Sequence, residues 1–303
     1  MSAYNVQVFL STYNGEKYLK EQIDSLLKQK NVHVSILVRD DGSQDSTKNI
    51  LEEYQKEGKI SYYQGNNLGY SKSFLDLVNT KAQADFYAFC DQDDIWLPEK
   101  IITGIKKIEQ AGDDESKPIL YASALQRVDA LLNPLAIQNF PNLRLTLGAE
   151  FIRHRLAGCT YIFNNALRNL LQAADGGIAS HDKMAAILCL ACGGQIIFDE
   201  SPHILFRRHE SNTSSDGENI KNKIIKTLFQ YFGKCSNTPQ LAQFILTTYD
   251  GLIIPEARDL ISEIAYYKNN FVNTLKLTFS PHIDCGVWFY NLFIRIIILL
   301  RLF

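Results

Sequence analysis

Short apolar runs alternate with amphipathic helical segments up to about residue 110, and that alternation restricts the fold more than any other feature. The runs VQVFLST (6–12), HVSILVRDD (33–41), ISYYQG (60–65) and ADFYAFCD (84–91) have the length and the β-branched or aromatic content of buried strands. Between the first two, EKYLKEQIDSLLKQ (16–29) places Leu19, Ile23, Leu26 and Leu27 at helical spacing. SQDSTKNILEEYQKEG (43–58) offers Ser43 or Asp45 as an N-cap and Gly58 as a stop. YSKSFLDLVNTK (70–81) predicts a third helix, and PEKIITGIKKIEQ (98–110) a fourth with Pro98 at a favourable first position. Strand–helix alternation of this kind predicts an α/β fold, a mainly parallel sheet wrapped by helices.

Beyond that point, ILYASALQRVD (119–129) reads as one further strand, SHDKMAAILCLACGG (180–194) as a helix and QIIFDE (195–200) as a strand. Residues 135–165 lack a clear period and are read as an acceptor-side loop. HESNTSSDGENIKNK (209–223) is polar and turn-rich, which places a boundary there: a main domain over 1–210 and a helical region over 211–303. The tail GVWFYNLFIRIIILLRLF (286–303) is marginal for a membrane span, which needs about 20 apolar residues, and Arg295 and Arg301 interrupt it. It is read as an interfacial helix with both arginines reaching lipid headgroups, the competing reading being a helix docked on the protein core.

A net charge of −2 with mixed signs argues against nucleic acid as a partner. The start MSAYNVQVFL lacks the features of a secretory signal. The six cysteines, including the Cys189–Cys192 pair inside an apolar helical run, are read as buried thiols in a reduced, cytoplasmic setting.

Ligands of an open α/β sheet bind beyond the carboxyl ends of its strands. Three polar clusters fall at such ends: STYNGE after the first strand, RDDGSQDS after the second and DQDD after the fourth. Each alone is compatible with a turn or a helix cap. Three at one edge point to a ligand. In DQDD, Asp91 and Asp93 are spaced to converge on one hard cation, Mg²⁺ or Mn²⁺, which prefers oxygen ligands and borrows phosphate oxygens from a nucleotide diphosphate.

Taken together, VFLSTYNGEKYLKEQIDSLLKQ, LVRDDGSQDST, NNLGYSKSF and FCDQDDIWLPEK resemble the family 2 glycosyltransferases of GT-A fold, and the resemblance continues through AGCTYIFNNAL and SHDKMAAILCLACGGQIIFDESPHILFRRHESN. Within that family the chain is most similar to rhamnosyltransferase-like enzymes of O-antigen, capsule and cell-wall polysaccharide synthesis. The resemblance implies that Ser11 and Tyr13 lie against the pyrimidine and ribose, that Asp41 accepts the pyrimidine N3–H, and that Lys72 meets a phosphate. It implies a metal held by Asp91 and Asp93 with His209 nearby, and a diphosphate neutralised by Arg207 and Arg208. Asp94, Trp96 and His181 fall to the acceptor side and its loop, and Asp182 in SHDK to the general base. Lys183 departs from the aromatic residue usual at that position, which bears on the acceptor pocket.

The reaction so implied is inverting transfer from a nucleotide diphosphate sugar, dTDP-rhamnose ahead of UDP-glucose or another UDP-hexose, to a lipid-linked saccharide at the inner face of a bacterial plasma membrane. The resemblance leaves a homo-oligomer open. A glycosidase needs two acids on opposite sides of the sugar, whereas these acids cluster at metal spacing. The remaining alternative is a non-catalytic nucleotide-sugar binding module.

Overall fold

A computed structural model describes residues 4–112, 114–138, 140–208 and 237–303. In chain order the strands are β1 (Tyr4–Thr12), β2 (Val32–Asp40), β3 (Ser61–Gln64), β4 (Phe86–Cys90), β5 (Ile95–Trp96), β6 (Ile119–Ser123), β7 (Gln126–Val128), β8 (Pro134–Ile137), β9 (Ile162–Asn164), β10 (Gln195–Asp199) and β11 (Ile204–Arg207). The described helices are α1 (Leu19–Leu27), α2 (Thr47–Lys56), α3 (Tyr70–Val78), α4 (Lys100–Gln110), α5 (Leu147–Arg153), α6 (Asn165–Leu171), α7 (His181–Ala191), α8 (Thr238–Thr248), α9 (Pro255–Tyr266), α10 (Phe271–Thr278) and α11 (Trp288–Leu299).

Seven strands form the main sheet in the order β10-β6-β9-β4-β1-β2-β3. All neighbours are parallel except β9, which runs antiparallel between β4 and β6. The apolar runs bury because both faces of such a sheet are covered: Val6, Val8, Phe9 and Leu10 of β1 are sealed, as is all of β4. A second sheet, β5-β11-β7-β8, is smaller.

That second sheet corrects one expectation. The run 119–129 is two strands, not one: β6 pairs with β10 in the main sheet, whereas β7 pairs with β11 and β8. The chain changes sheets at Ala124, whose N–H bonds to the Asp199 carbonyl at 2.8 Å. The stretch 135–165, expected to contain a loop, also holds the end of β8, α5, a 3₁₀ turn (Gly158–Thr160) and β9. Pieces of three to seven residues are too short to show a period.

The described chain divides into two compact units: residues 4–138, 156–189 and 194–208 in the first, and 140–155, 190–193 and 237–303 in the second. The expected boundary at 210/211 lies outside the described residues. Within the second unit, the tail helix α11 buries Ile294, Ile297 and Ile298 and leaves Trp288, Leu292, Ile296 and Leu299 exposed. Arg295 does not reach outward. Its guanidinium donates to the carbonyls of Thr278, Ser280 (3.1 Å) and Ile283 (3.2 Å), capping the end of α10 and the turn after it. Among the described residues no helix is long and apolar enough to cross a membrane.

Candidate active site

The register of three strands assembles the site. Leu10 lies level with Cys90 on β4, and Thr12 level with Asp40 on β2, so the residues that follow each strand emerge at one edge. Gln92, the polar residue inside DQDD, ties two of these loops together. Its amide oxygen accepts from the Thr12 hydroxyl (2.6 Å) and the Tyr13 N–H (2.9 Å), and its amide nitrogen donates to the Tyr13 carbonyl (3.1 Å). A β-carbon on Gly15 would stand 2.5 Å from that same amide oxygen, so a larger residue there would displace the Gln92 side chain. Tyr13 is thereby held with its ring exposed at the edge, and Ser11 shares a 2.6 Å hydrogen bond with Ser73.

Much of RDDGSQDS shapes the loops themselves. Asp40 accepts from the Ser43 N–H and hydroxyl, and Asp45 from the Thr47 N–H and hydroxyl. Ser43 and Thr47 in turn take the N–H groups of Asn14 and Gly15 at 2.9 and 2.8 Å. Asp41 is 2% exposed and pairs with buried Arg39, while its two oxygens accept from the N–H groups of Leu68 (2.8 Å) and Gly69 (2.9 Å). Asp41 therefore fixes the turn into α3, next to which a cleft of about 320 Å³ is lined by Tyr70, Lys72, Gly176 and Ser180. Lys72 is exposed and packs along Gly176.

The acidic loop is layered. Asp91 and Asp93 are half-buried, whereas Asp94 is only 1% exposed. Burial pushes the Asp91 carboxyl up to about 7, with the negative fields of Asp93 and Asp182 adding to the rise and a hydrogen bond from the Cys159 thiol opposing it. Ligand atoms of Asp91, Asp94 and Cys159 lie within 4.8 Å of one another. Burial raises the Cys159 thiol well above its usual range, and the thiol donates hydrogen bonds to Asp91 and Asp94. Asp91 and Asp93, the two half-buried carboxylates of the loop, offer the oxygen chemistry that a hard divalent cation prefers. His209 lies outside the described residues.

Trp96, Asp94 and Arg207 are all buried. Trp96 is 2% exposed, covered by the Lys100 ammonium 3.5 Å from its ring centroid, so it supports the loop from beneath and touches no acceptor. Asp94 accepts the Arg207 N–H at 3.1 Å, a contact of the loop, one of the two roles expected for it. Arg207 is turned inward: its guanidinium donates to the carbonyls of Asp93 (3.0 Å) and Ala130 (2.8 Å) and pairs with Glu21, so it is committed to the acidic loop rather than to a phosphate.

Asp182 stands in the first turn of α7, where the helix dipole favours a carboxylate, and its Oδ1 accepts the Lys183 N–H at 2.8 Å. It lies close enough to Asp91 to raise that carboxyl, and both act on Tyr70, whose phenol is raised by burial and then by these two charges. The 3₁₀ turn links them: Gly158 lies against His181 and the Asp182 β-carbon, and the next residue, Cys159, hydrogen-bonds to Asp91. His181 is buried, stacked on Phe74 (centroids 4.1 Å apart) and edge-on to Phe89 (4.8 Å). That ring anchors the start of α7. The residues sequence reasoning missed here are Gln92, Tyr70, Gly158, Cys159 and Lys100. All five lie inside stretches already singled out, but their residue types gave no signal of these roles.

A strand-ordered edge carrying an acidic loop, polar turns and one carboxylate at a helix start is the arrangement expected of a sugar-nucleotide transferase of GT-A type. Residues 7–154 match glycosyl transferase family 2. The dTDP-rhamnosyl transferase RfbG of Shigella flexneri is 30% identical over 223 residues, covering 67% of this chain and 72% of RfbG. TuaG of Bacillus subtilis, named for teichuronic acid biosynthesis, is 28% identical over 147 residues, 43% of this chain and 58% of TuaG. Among solved structures, Staphylococcus aureus TarS residues 1–349 in complex with UDP-GlcNAc superposes with a TM-score of 0.60 at 18% identity, covering 98% of this chain and 82% of that one. The chain belongs to glycosyl transferase family 2 and is a glycosyltransferase with the GT-A fold.

Proposed function

We propose that the protein is an inverting rhamnosyl-type transferase that extends a lipid-linked saccharide in bacterial surface polysaccharide synthesis. The observation that carries this reading is the placement of Asp182 across the Gly158–Cys159 turn from Asp91. Asp182 takes the proton from the acceptor hydroxyl as that oxygen attacks the anomeric carbon, and the nucleoside diphosphate departs from the opposite side. Asp91 and Asp93 would hold a divalent cation, which supplies charge neutralisation on the departing diphosphate. Tyr13 offers a ring face to the base, and Asp41 sets the turn that closes the nucleotide side. Residues 1–210 form the catalytic domain in this reading.

The donor is dTDP-rhamnose, supported by the similarity to RfbG. The acceptor, a saccharide on a lipid carrier, places the enzyme at the inner face of the plasma membrane. The exposed apolar side of α11 supports that location.

Calorimetric titration with dTDP and UDP, each with and without Mn²⁺, tests the donor. Tighter, Mn²⁺-dependent binding of dTDP is the expected result, and a preference for UDP would replace the rhamnosyl donor by a UDP-hexose. Asp182→Asn is expected to abolish transfer and keep nucleotide affinity. Near-normal turnover in that variant would remove Asp182 from its role.

A further inference from the structure

The strands that carry the candidate active site at their carboxyl ends border a second cavity at the opposite edge. It measures about 880 Å³ and lies among the starts of β1 and β4, the end of α4 and the first turn of α6. From Asp85 to Asp91, across β4, is about 20 Å of extended chain, so this cavity is separate from the acidic loop.

Arg168 lines it and is itself only 6% exposed. Its guanidinium donates to the Thr80 carbonyl and lies over the Tyr87 ring, 5.1 Å from the centroid. Its Nε makes no hydrogen bond. A buried donor left without an acceptor is costly, and this one belongs to the wall of a polar cavity. Asp85, Glu109 and Glu115 supply acceptors around it. The first two are held in place, Asp85 by the Asn5 N–H at 2.8 Å and Glu109 by the Tyr4 hydroxyl. Asn165 and Asn169, four residues apart and so on one face of α6, add amides that both donate and accept. The Tyr4 ring, edge-on to Phe86, contributes an apolar surface.

Three carboxylates against one guanidinium repel phosphate and other anions. Interspersed donors and acceptors beside an aromatic ring suit hydroxyl groups, each of which donates and accepts, on a ring with apolar C–H edges. We propose that this cavity is a second saccharide site, which takes a neutral sugar of the polymer that the enzyme extends. That the sugar belongs to such a polymer rests on the transferase reading. A chain held there stays with the enzyme between transfers, so the site serves long acceptors and is indifferent to short ones.

A soluble rhamnose hexasaccharide and the corresponding disaccharide test this with the full chain. Saturation-transfer NMR is expected to show the hexasaccharide bound, and binding is expected to weaken about fivefold or more in Arg168→Met and in Asn169→Ala. In transfer assays the KM for the hexasaccharide is expected to rise by a similar factor in both variants. The kcat, the KM for the disaccharide and the affinity for dTDP are expected to stay within about twofold. If Arg168→Met does not fold, Asn169→Ala, which alters an exposed side chain, decides the matter.

Unchanged hexasaccharide binding in the folded variants overturns the proposal, as does a wild-type enzyme that transfers sugar but binds no hexasaccharide. An equal loss with both acceptors also overturns it, because the substitutions would then act on the transfer site through the fold. Displacement of the hexasaccharide by inorganic phosphate overturns the choice of a neutral sugar. Variant-sensitive binding in a wild-type chain that transfers to neither acceptor would instead overturn the transferase reading and leave the saccharide site standing.

Discussion

A β-carbon added to Gly158 would stand 3.1 Å from the Asp182 β-carbon and 2.8 Å from Nε2 of His181. His181 cannot yield, because Phe74 and Phe89 enclose its ring. The start of α7, and Asp182 with it, would have to move by tenths of an ångström. A general base displaced on that scale loses its alignment with the attacking hydroxyl, and a displacement of about 1 Å costs on the order of 100-fold. Gly158→Ala is therefore expected to lower kcat by about tenfold or more while nucleotide affinity holds. Steady-state kinetics beside calorimetry check this, and an unchanged kcat would mean that the turn does not position Asp182.

Gln92 makes a different prediction, since it joins two loops rather than shaping one. Gln92→Leu removes three hydrogen bonds to Thr12 and Tyr13. At about 1 kcal/mol for each bond in this half-buried setting, stability is expected to fall by about 2–3 kcal/mol. Nucleotide binding should weaken further than stability alone explains, because Tyr13 loses its fixed backbone. Urea unfolding and titration with dTDP and UDP measure the two effects. A stability within about 0.5 kcal/mol of wild type would show that the loops are held by other contacts.

These two residues mark where the sequence was legible and where it was not. The parallel strands β1, β2 and β4 were read from apolar runs, because burial on both faces leaves a continuous signal. The three polar clusters were read as one edge because parallel strands end together. The Gly158 turn and β9 were hidden: three-residue elements carry no period, and their meaning comes from neighbours distant in sequence. Trp96 misled for the opposite reason. A tryptophan beside an acidic motif reads as part of the acceptor side, until burial and the Lys100 ammonium over its ring place it inside the protein.

Lys100 also imposes a pH dependence on stability. Its ordinary value of 10.5 falls to about 8 in the folded protein, chiefly through burial. Between those two values the unfolded chain binds more protons than the folded one, so this group makes stability rise with pH through that window. The contribution is complete above the unfolded value and lost as pH falls through about 8. Its span is on the order of 3 kcal/mol. Urea midpoints taken between roughly pH 7.5 and 10 should rise with pH in the wild type, and that rise should be missing in Lys100→Met. Parallel pH profiles would show that the lysine titrates normally.

The tail yields a prediction in which two readings part. Arg295 is bound to three carbonyls at the end of α10, so it fixes α11 to its own unit rather than reaching for headgroups. That leaves the other side of the helix, Trp288, Leu292, Ile296 and Leu299, at spacings of four, four and three residues and exposed to water. Contiguous apolar surface of this kind on a folded unit marks a contact with lipid or protein. If the contact is the membrane surface, Trp288 fluorescence should shift to the blue on addition of anionic phospholipid vesicles. Leu292→Asp with Ile296→Asp should abolish vesicle binding and leave transfer to a water-soluble acceptor intact. Binding that survives the double variant would move the lipid contact away from α11. Loss of transfer to the soluble acceptor as well would make that face part of the catalytic assembly.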